Sequence, residues 1–82
     1  MVIAINIHLK NGVLDPQGKA IYNALNTLGF NNIKDVRVGK QILLNIDTNN
    51  KEEAIEIASK ATKELLANPV IENYEIEVKS ES

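Results

Sequence analysis

A chain of 82 residues is enough for one domain, and folding at this length hides only about 60–65% of the surface that the unfolded chain exposes. The absence of cysteine excludes disulfides and thiolate chemistry, and a formal charge of −2 argues against nucleic acid or an anionic membrane surface as the main partner. No apolar run nears the roughly 18–20 residues of a bilayer span, and Met1 leads straight into a strand-like pattern without a basic leader, so a cytoplasmic protein is expected.

Val2 to Leu9 places Ile3, Ile5, Ile7 and Leu9 on one face and Ala4, Asn6 and His8 on the other, the period-2 pattern of a half-buried strand. The next stretch, Gly12-Val13-Leu14-Asp15-Pro16-Gln17-Gly18, turns that strand into a helix. Asp15 suits the N-cap, where a side-chain oxygen accepts an orphan backbone N–H, and Pro16 suits the first helical position, which needs no N–H. Val13, Leu14, Gln17 and Gly18 are not explained this way, because apolar residues in a tight turn and a glycine in a first helical turn are poor choices for stability alone. From Pro16 to Leu28 the period becomes helical, with Ala20, Ile21, Ala24, Leu25 and Leu28 in a stripe and Gly29 beyond its end.

Ile33–Val38 and Gln41–Asp47 read as two strands joined through Gly39-Lys40, a connection short enough for an antiparallel hairpin. Ile42, Leu44 and Ile46 share one face of the later strand. Thr48, Asn49 and Asn50 are cap candidates for a second helix, which opens with Glu52 and Glu53 near its positive end. Its expected buried stripe is Ala54, Ile57, Ala58, Ala61 and Leu65, and Asn68-Pro69 stops it. Glu72–Lys79 closes the domain as a strand with Tyr74, Ile76 and Val78 on one side, leaving residues 80–82 as a polar tail on a single domain spanning 1–79.

The resulting order is β-α-β-β-α-β, an α+β fold of two layers: a four-stranded antiparallel sheet with two helices on one face. The other face would carry Ala4, Asn6, His8 and Leu43, a mixed surface that suggests pairing with another subunit. A ferredoxin-like monomer and an arrangement with strands paired across subunits both fit this string.

No catalytic or metal-binding constellation is found in the sequence. His8 is the sole histidine and reads as a partly exposed strand residue, so no metal cluster is expected. Asp15 is explained by capping, Glu52, Glu53 and Glu56 by a solvated helix start, and Glu75 and Glu77 by outward alternation on a strand. Gly12 and Gly18 flank a helix N-terminus, yet the segment lacks the lysine and hydroxyl ending of a P-loop and the three-glycine dinucleotide fingerprint. Arg37 and Lys40 are either salt-bridge donors to a partner or solvated edge charges. What remains is rigid turns presenting apolar side chains, which suits recognition better than catalysis.

Four strings occur in order and at matching spacing: Gly-Val-Leu-Asp-Pro-Gln-Gly-Lys-Ala (12–20), Leu-Gly-Phe (28–30), Val-Arg-Val-Gly-Lys (36–40) and Leu-Leu-Ala-Asn-Pro-Val-Ile-Glu-Asn-Tyr (65–74). Together they resemble the small subunit of phosphoribosylformylglycinamidine synthase, the PurS family, over all but the polar tail. Asn31-Asn32 and Thr62, where the family often carries cysteine, are mild departures.

The resemblance implies an adaptor of the fourth step of purine synthesis, in which formylglycinamide ribonucleotide, ATP and glutamine yield formylglycinamidine ribonucleotide, ADP, phosphate and glutamate. A glutaminase subunit releases ammonia and a large synthetase subunit uses it. The small subunit bridges the two as a homodimer or homotetramer and assists ammonia transfer. ATP, Mg and glutamine then belong to the assembled complex, with no cofactor bound by this chain, no catalytic residue in it, and neither nucleic acid nor membrane as partner. On that reading Val13, Leu14, Gln17, Arg37, Lys40, Asn68 and Pro69 face partners, the alternative for each being a turn or cap that closes the fold. A regulatory domain binding a small metabolite at a dimer interface would use the same element order, and a stand-alone small enzyme is the third reading.

Overall fold

A computed structural model describes residues 1–80, in which three strands form the sheet rather than the expected four. The elements are β1 (Val2–Leu9), α1 (Pro16–Thr27), β2 (Gly39–Asn45), α2 (Lys51–Ala61) and β3 (Glu72–Ser80). Strand β1 runs through the middle and pairs antiparallel with β2 on one side and β3 on the other. Ser80 is the last residue of β3 and not the first of a tail, while the tail expected at Glu81 and Ser82 lies outside the described residues.

The alternation read in β1 decides the core. Ile3, Ile5 and Ile7 are buried on one face, flanked across the ladders by Ile42 and Leu44 on β2 and by Tyr74, Ile76 and Val78 on β3. Cross-strand pairing of branched aliphatics at this spacing is the packing unit of a sheet. The opposite face carries Ala4, Asn6, His8 and Leu43 as the parity requires, with Gln41 Nε2 donating to Asn6 Oδ1 at 2.8 Å.

Helix α2 lies over β1 and β3. Ala54 and Ala58, both fully buried, let its backbone approach the strands closely. Asn50 caps it by accepting from Glu53 N–H at 3.1 Å. Past Ala61 the helix widens into a π-helical turn, Thr62–Leu66, closed by the Ala67 N–H donating to the Thr62 carbonyl at 3.1 Å. The extra residue in that turn rotates everything after it. Thr62, four residues after Ala58, faces inward at the start of this turn, and beyond it Leu66 and Ala67 turn inward and Leu65 outward at 82% exposure, which corrects the expected stripe at Leu65. Ile57, also placed in that stripe, is exposed as well. The buried Thr62 hydroxyl is satisfied by donating to the Ala58 carbonyl at 2.7 Å.

Residues 33–38 form no strand, and Gly39-Lys40 form no hairpin turn but begin β2 opposite Ile7 and His8. The backbone donors here are used by side chains: Asp15 Oδ2 accepts from Val38 N–H at 2.8 Å, and Asp35 Oδ1 from Val36 N–H at 2.9 Å. Helix α1, expected beside α2 on the sheet, projects away from it; of its residues only Gly18 is buried. The described chain measures 48 × 27 × 14 Å, with a radius of gyration of 16.1 Å. A compact domain of this length would have a radius of about 12 Å.

Candidate functional site

Because β1 ends where β2 and β3 begin, three loops converge at one end of the sheet: the 10–15 turn, the 34–38 segment and the 67–71 turn. All seven residues expected to face partners lie in or beside these loops. Only the tertiary fold brings them together, since Val13 and Pro69 are far apart in the chain.

Asp15 is the knot of this end. Its Oδ1 accepts from Gly18 N–H at 2.9 Å, which is the capping role expected, and its Oδ2 accepts from Val38 N–H at 2.8 Å. Arg37 stands with Nε 4.0 Å from the same carboxylate, and its Nη2 donates to the carbonyls of Leu9 and Lys10 at 3.2 and 3.3 Å. The hydrogen bonds from Val38 and Gly18 hold the Asp15 carboxyl below its usual value of 3.8, with the Arg37 charge adding to them against partial burial. Arg37 is thus a brace between β1's exit and the α1 cap as well as a half-exposed charge. Gly18 is required by contact: a Cβ there would overlap the Val36 carbonyl oxygen and the Asp15 carboxylate. That close approach explains the glycine in a first helical turn, which capping could not. Gly12, at φ +86°, makes the turn itself.

Two shallow clefts open at this end. One, of about 560 Å³, is lined by Val13, Leu14, Tyr22, Lys34 and Arg37 among others, with Leu14 78% exposed at its rim. The other, of about 390 Å³, is lined by Gln17, Lys40, Glu72 and His8 among others. Lys40 Nζ lies 3.9 Å from Glu72 Oε2, while Glu72 Oε1 accepts from Asn68 N–H at 2.7 Å. Asn68 in turn organises the Pro69 turn, its Oδ1 accepting from Val70 N–H at 3.0 Å and its carbonyl from Glu72 N–H at 2.8 Å. Glu72 therefore couples Lys40 to the Asn68-Pro69 turn. Sequence reasoning did not single out Glu72; the available signal was a carboxylate four residues after Asn68 at the start of a strand. Among the described residues no three His, Asp or Glu side chains converge as metal ligands would, and no helix is long and apolar enough to cross a membrane.

The arrangement is a set of braced turns around exposed apolar and charged side chains. Comparison with known proteins gives it a family. The profile described as "PurS: Phosphoribosylformylglycinamidine (FGAM) synthase" matches residues 2–80. The chain belongs to the PurS family. It is 50% identical over 72 residues to the phosphoribosylformylglycinamidine synthase subunit PurS of Methanocaldococcus jannaschii, covering 88% of this chain and 87% of that protein. With the PurS subunit of Bacillus subtilis it shares 40% over 76 residues, covering 93% and 89%.

Solved structures agree in fold. The crystal structure of M. jannaschii PurS, described as one of the subunits of formylglycinamide ribonucleotide amidotransferase in the purine biosynthetic pathway, superposes with a TM-score of 0.83 at 49% identity, covering 96% of each chain. A chain of the structure of PurLQS from Thermotoga maritima superposes at 0.84 with 41% identity, covering 93% of each. The projecting α1 and three-stranded sheet thus sit within a fold that PurS structures share.

Proposed function

We propose that this chain is the non-catalytic adaptor subunit of a phosphoribosylformylglycinamidine synthase, working in the cytoplasm. It bridges the glutaminase and the large synthetase subunit and assists the passage of ammonia between them, itself a homodimer or homotetramer. The observation that carries this reading is the superposition on a chain of T. maritima PurLQS, a multi-subunit assembly, over 93% of both chains. Substrates, ATP, Mg and glutamine are handled by the assembled complex, and this chain binds no cofactor of its own.

The end of the sheet described above is the docking surface in this reading. Leu14 and Val13 supply apolar contact, Gln17, Arg37 and Lys40 supply donors, and the Asn68-Pro69 turn gives a rigid edge. Preorganised turns limit the ordering entropy that association must overcome. The test is formylglycinamidine ribonucleotide formation by the large subunit and the glutaminase, with and without this chain, comparing glutamine with ammonium. Glutamine-driven synthesis should need the chain and ammonium-driven synthesis should not. If neither reaction responds to the chain, the adaptor reading fails.

A further inference from the structure

Asparagine is a thermolabile side chain, and the residue that follows it sets how readily it changes. Asn11 is the one asparagine of this chain followed by glycine. The pair forms the tip of the turn between β1 and α1, and both residues are exposed. The Val13 N–H donates to the Lys10 carbonyl at 3.2 Å, which makes Asn11 and Gly12 the central residues of a β-turn. Gly12 has the positive φ of +86° and Asn11 does not, the pattern of a type II turn. The Gly12 N–H donates to no backbone carbonyl among the described residues. A Cβ on Gly12 would meet nothing within 4 Å, so its nitrogen is open from the side as well. The flanks of the turn are fixed: Lys10 N–H donates to the Ile71 carbonyl at 2.8 Å, and Arg37 holds the Leu9 and Lys10 carbonyls.

At other asparagines the following nitrogen is occupied, absent or crowded. After Asn45 the Ile46 N–H donates to the Met1 carbonyl at 2.8 Å, and after Asn49 the Asn50 N–H donates to the Thr48 hydroxyl at 3.1 Å. After Asn68 stands Pro69, which has no N–H. Asn31 is exposed, but the side chain of Asn32 crowds the nitrogen that would react.

We propose that Asn11 is a site of spontaneous modification, at which the turn rebuilds its own backbone as isoaspartate and so disables the end of the sheet that meets partners. The Gly12 nitrogen attacks the side-chain amide carbon of Asn11. A C–N bond forms, the bond to the side-chain nitrogen breaks, and ammonia leaves with the proton from Gly12. Water then opens the resulting succinimide. Addition at the side-chain carbonyl gives aspartate, and addition at the main-chain carbonyl leaves Gly12 attached through the side chain, which is isoaspartate. The isoaspartyl product adds one carbon to the main chain inside the ring closed by the Lys10–Val13 bond. It also sets a carboxylate close to Arg37, whose guanidinium braces this turn. Val13 and Leu14 are then no longer held in register with β1, and the preorganisation that limits the cost of association is lost. The consequence for synthesis rests on the adaptor role proposed above, whereas the chemistry does not.

The test incubates the purified full-length chain warm at mildly alkaline pH, beside a synthetic peptide of residues 9–15, until most of the peptide has deamidated. Peptide mapping should then find the acid in place of the amide at position 11 in most chains. Isoaspartate, labelled by isoaspartate-specific methyl transfer, should exceed aspartate there, and position 31 should remain largely amide. Added to the synthetase and glutaminase, the aged chain should lose glutamine-driven synthesis in proportion to its isoaspartate. Asn11→Gln, which would need a larger ring, should keep its fresh level through the same incubation.

An Asn11 that stays intact while the peptide converts overturns the proposal, as does conversion no faster than at Asn31. So does isoaspartate at position 11 that leaves glutamine-driven synthesis at its fresh level. A fresh chain that supports no glutamine-driven synthesis counts against the adaptor reading instead, and the mapping at Asn11 is read without it.

Discussion

Helices α1 and α2 are near equals as sequences. Both have good N-caps, Asp15 and Asn50, and both carry an apolar stripe at helical spacing. Yet α2 rests on the sheet through Ala54 and Ala58, whereas α1 leaves it and buries only Gly18. The difference lies in what flanks each helix. After α2 the chain turns back through the Asn68-Pro69 turn into a paired strand. After α1 it runs straight into β2, with Asp15 holding the helix start to that straight segment. An amphipathic stripe thus records that a face will be covered, while the connections decide by what.

The largest effect is expected at the shared centre. Ile5→Ala, at a fully buried position under both neighbouring strands, should lower unfolding stability by about 2–5 kcal/mol in a denaturant titration. Next comes the seat of α2: Ala58→Leu should cost about 1–3 kcal/mol by overpacking a site with no room. That loss should be independent of protein concentration.

The tie that holds α1 in place has a pH signature. Asp15 is held below 3.8 in the folded chain, so its contribution is fully present above about pH 4 and is lost as pH falls through the lower, folded value. Wild-type melting temperature should therefore drop on acidification below about pH 4. Asp15→Asn should be less stable at neutral pH and flatter across that acid range. An unchanged acid slope in the variant would show that other carboxylates carry it.

The smallest effects on stability are expected at the proposed docking surface. Leu14→Asp should leave the circular-dichroism melt within about 0.5 kcal/mol, because the side chain is mostly in solvent, while weakening glutamine-driven synthesis. Lys40→Ala removes a long ion pair from an exposed lysine to Glu72 and should cost less than about 1 kcal/mol. A large loss in either melt would move that residue from the proposed docking surface to the fold.

Much of this was legible in local chemistry. The alternation of Ile3, Ile5 and Ile7 determined the core face of β1, and Asp15, Pro16 and Gly29 marked the ends of α1, with Gly29 at φ +95° past its C-terminus. The π-helical turn was not legible, because Thr62–Leu66 has the composition of an ordinary helix and the extra residue is visible only in the Ala67 to Thr62 bond. The resemblance carried by four separated strings identified the family, and the seven candidate residues gathered at one end because β1 runs opposite to both its neighbours.

By itself, the sequence determined both helices and their caps, the three strands that do form and the core side of β1, and the absence of cysteine chemistry, since each depends on neighbours a few residues apart, but it misread residues 33–38 as a fourth strand. Only the tertiary structure decided that residues 33–38 join no strand ladder among the described residues and that α1 stands off the sheet. Strand pairing and helix seating depend on distant partners competing for the same backbone groups. Here the Asp15 carboxylate, 23 positions away, took the Val38 N–H that a hairpin would have used.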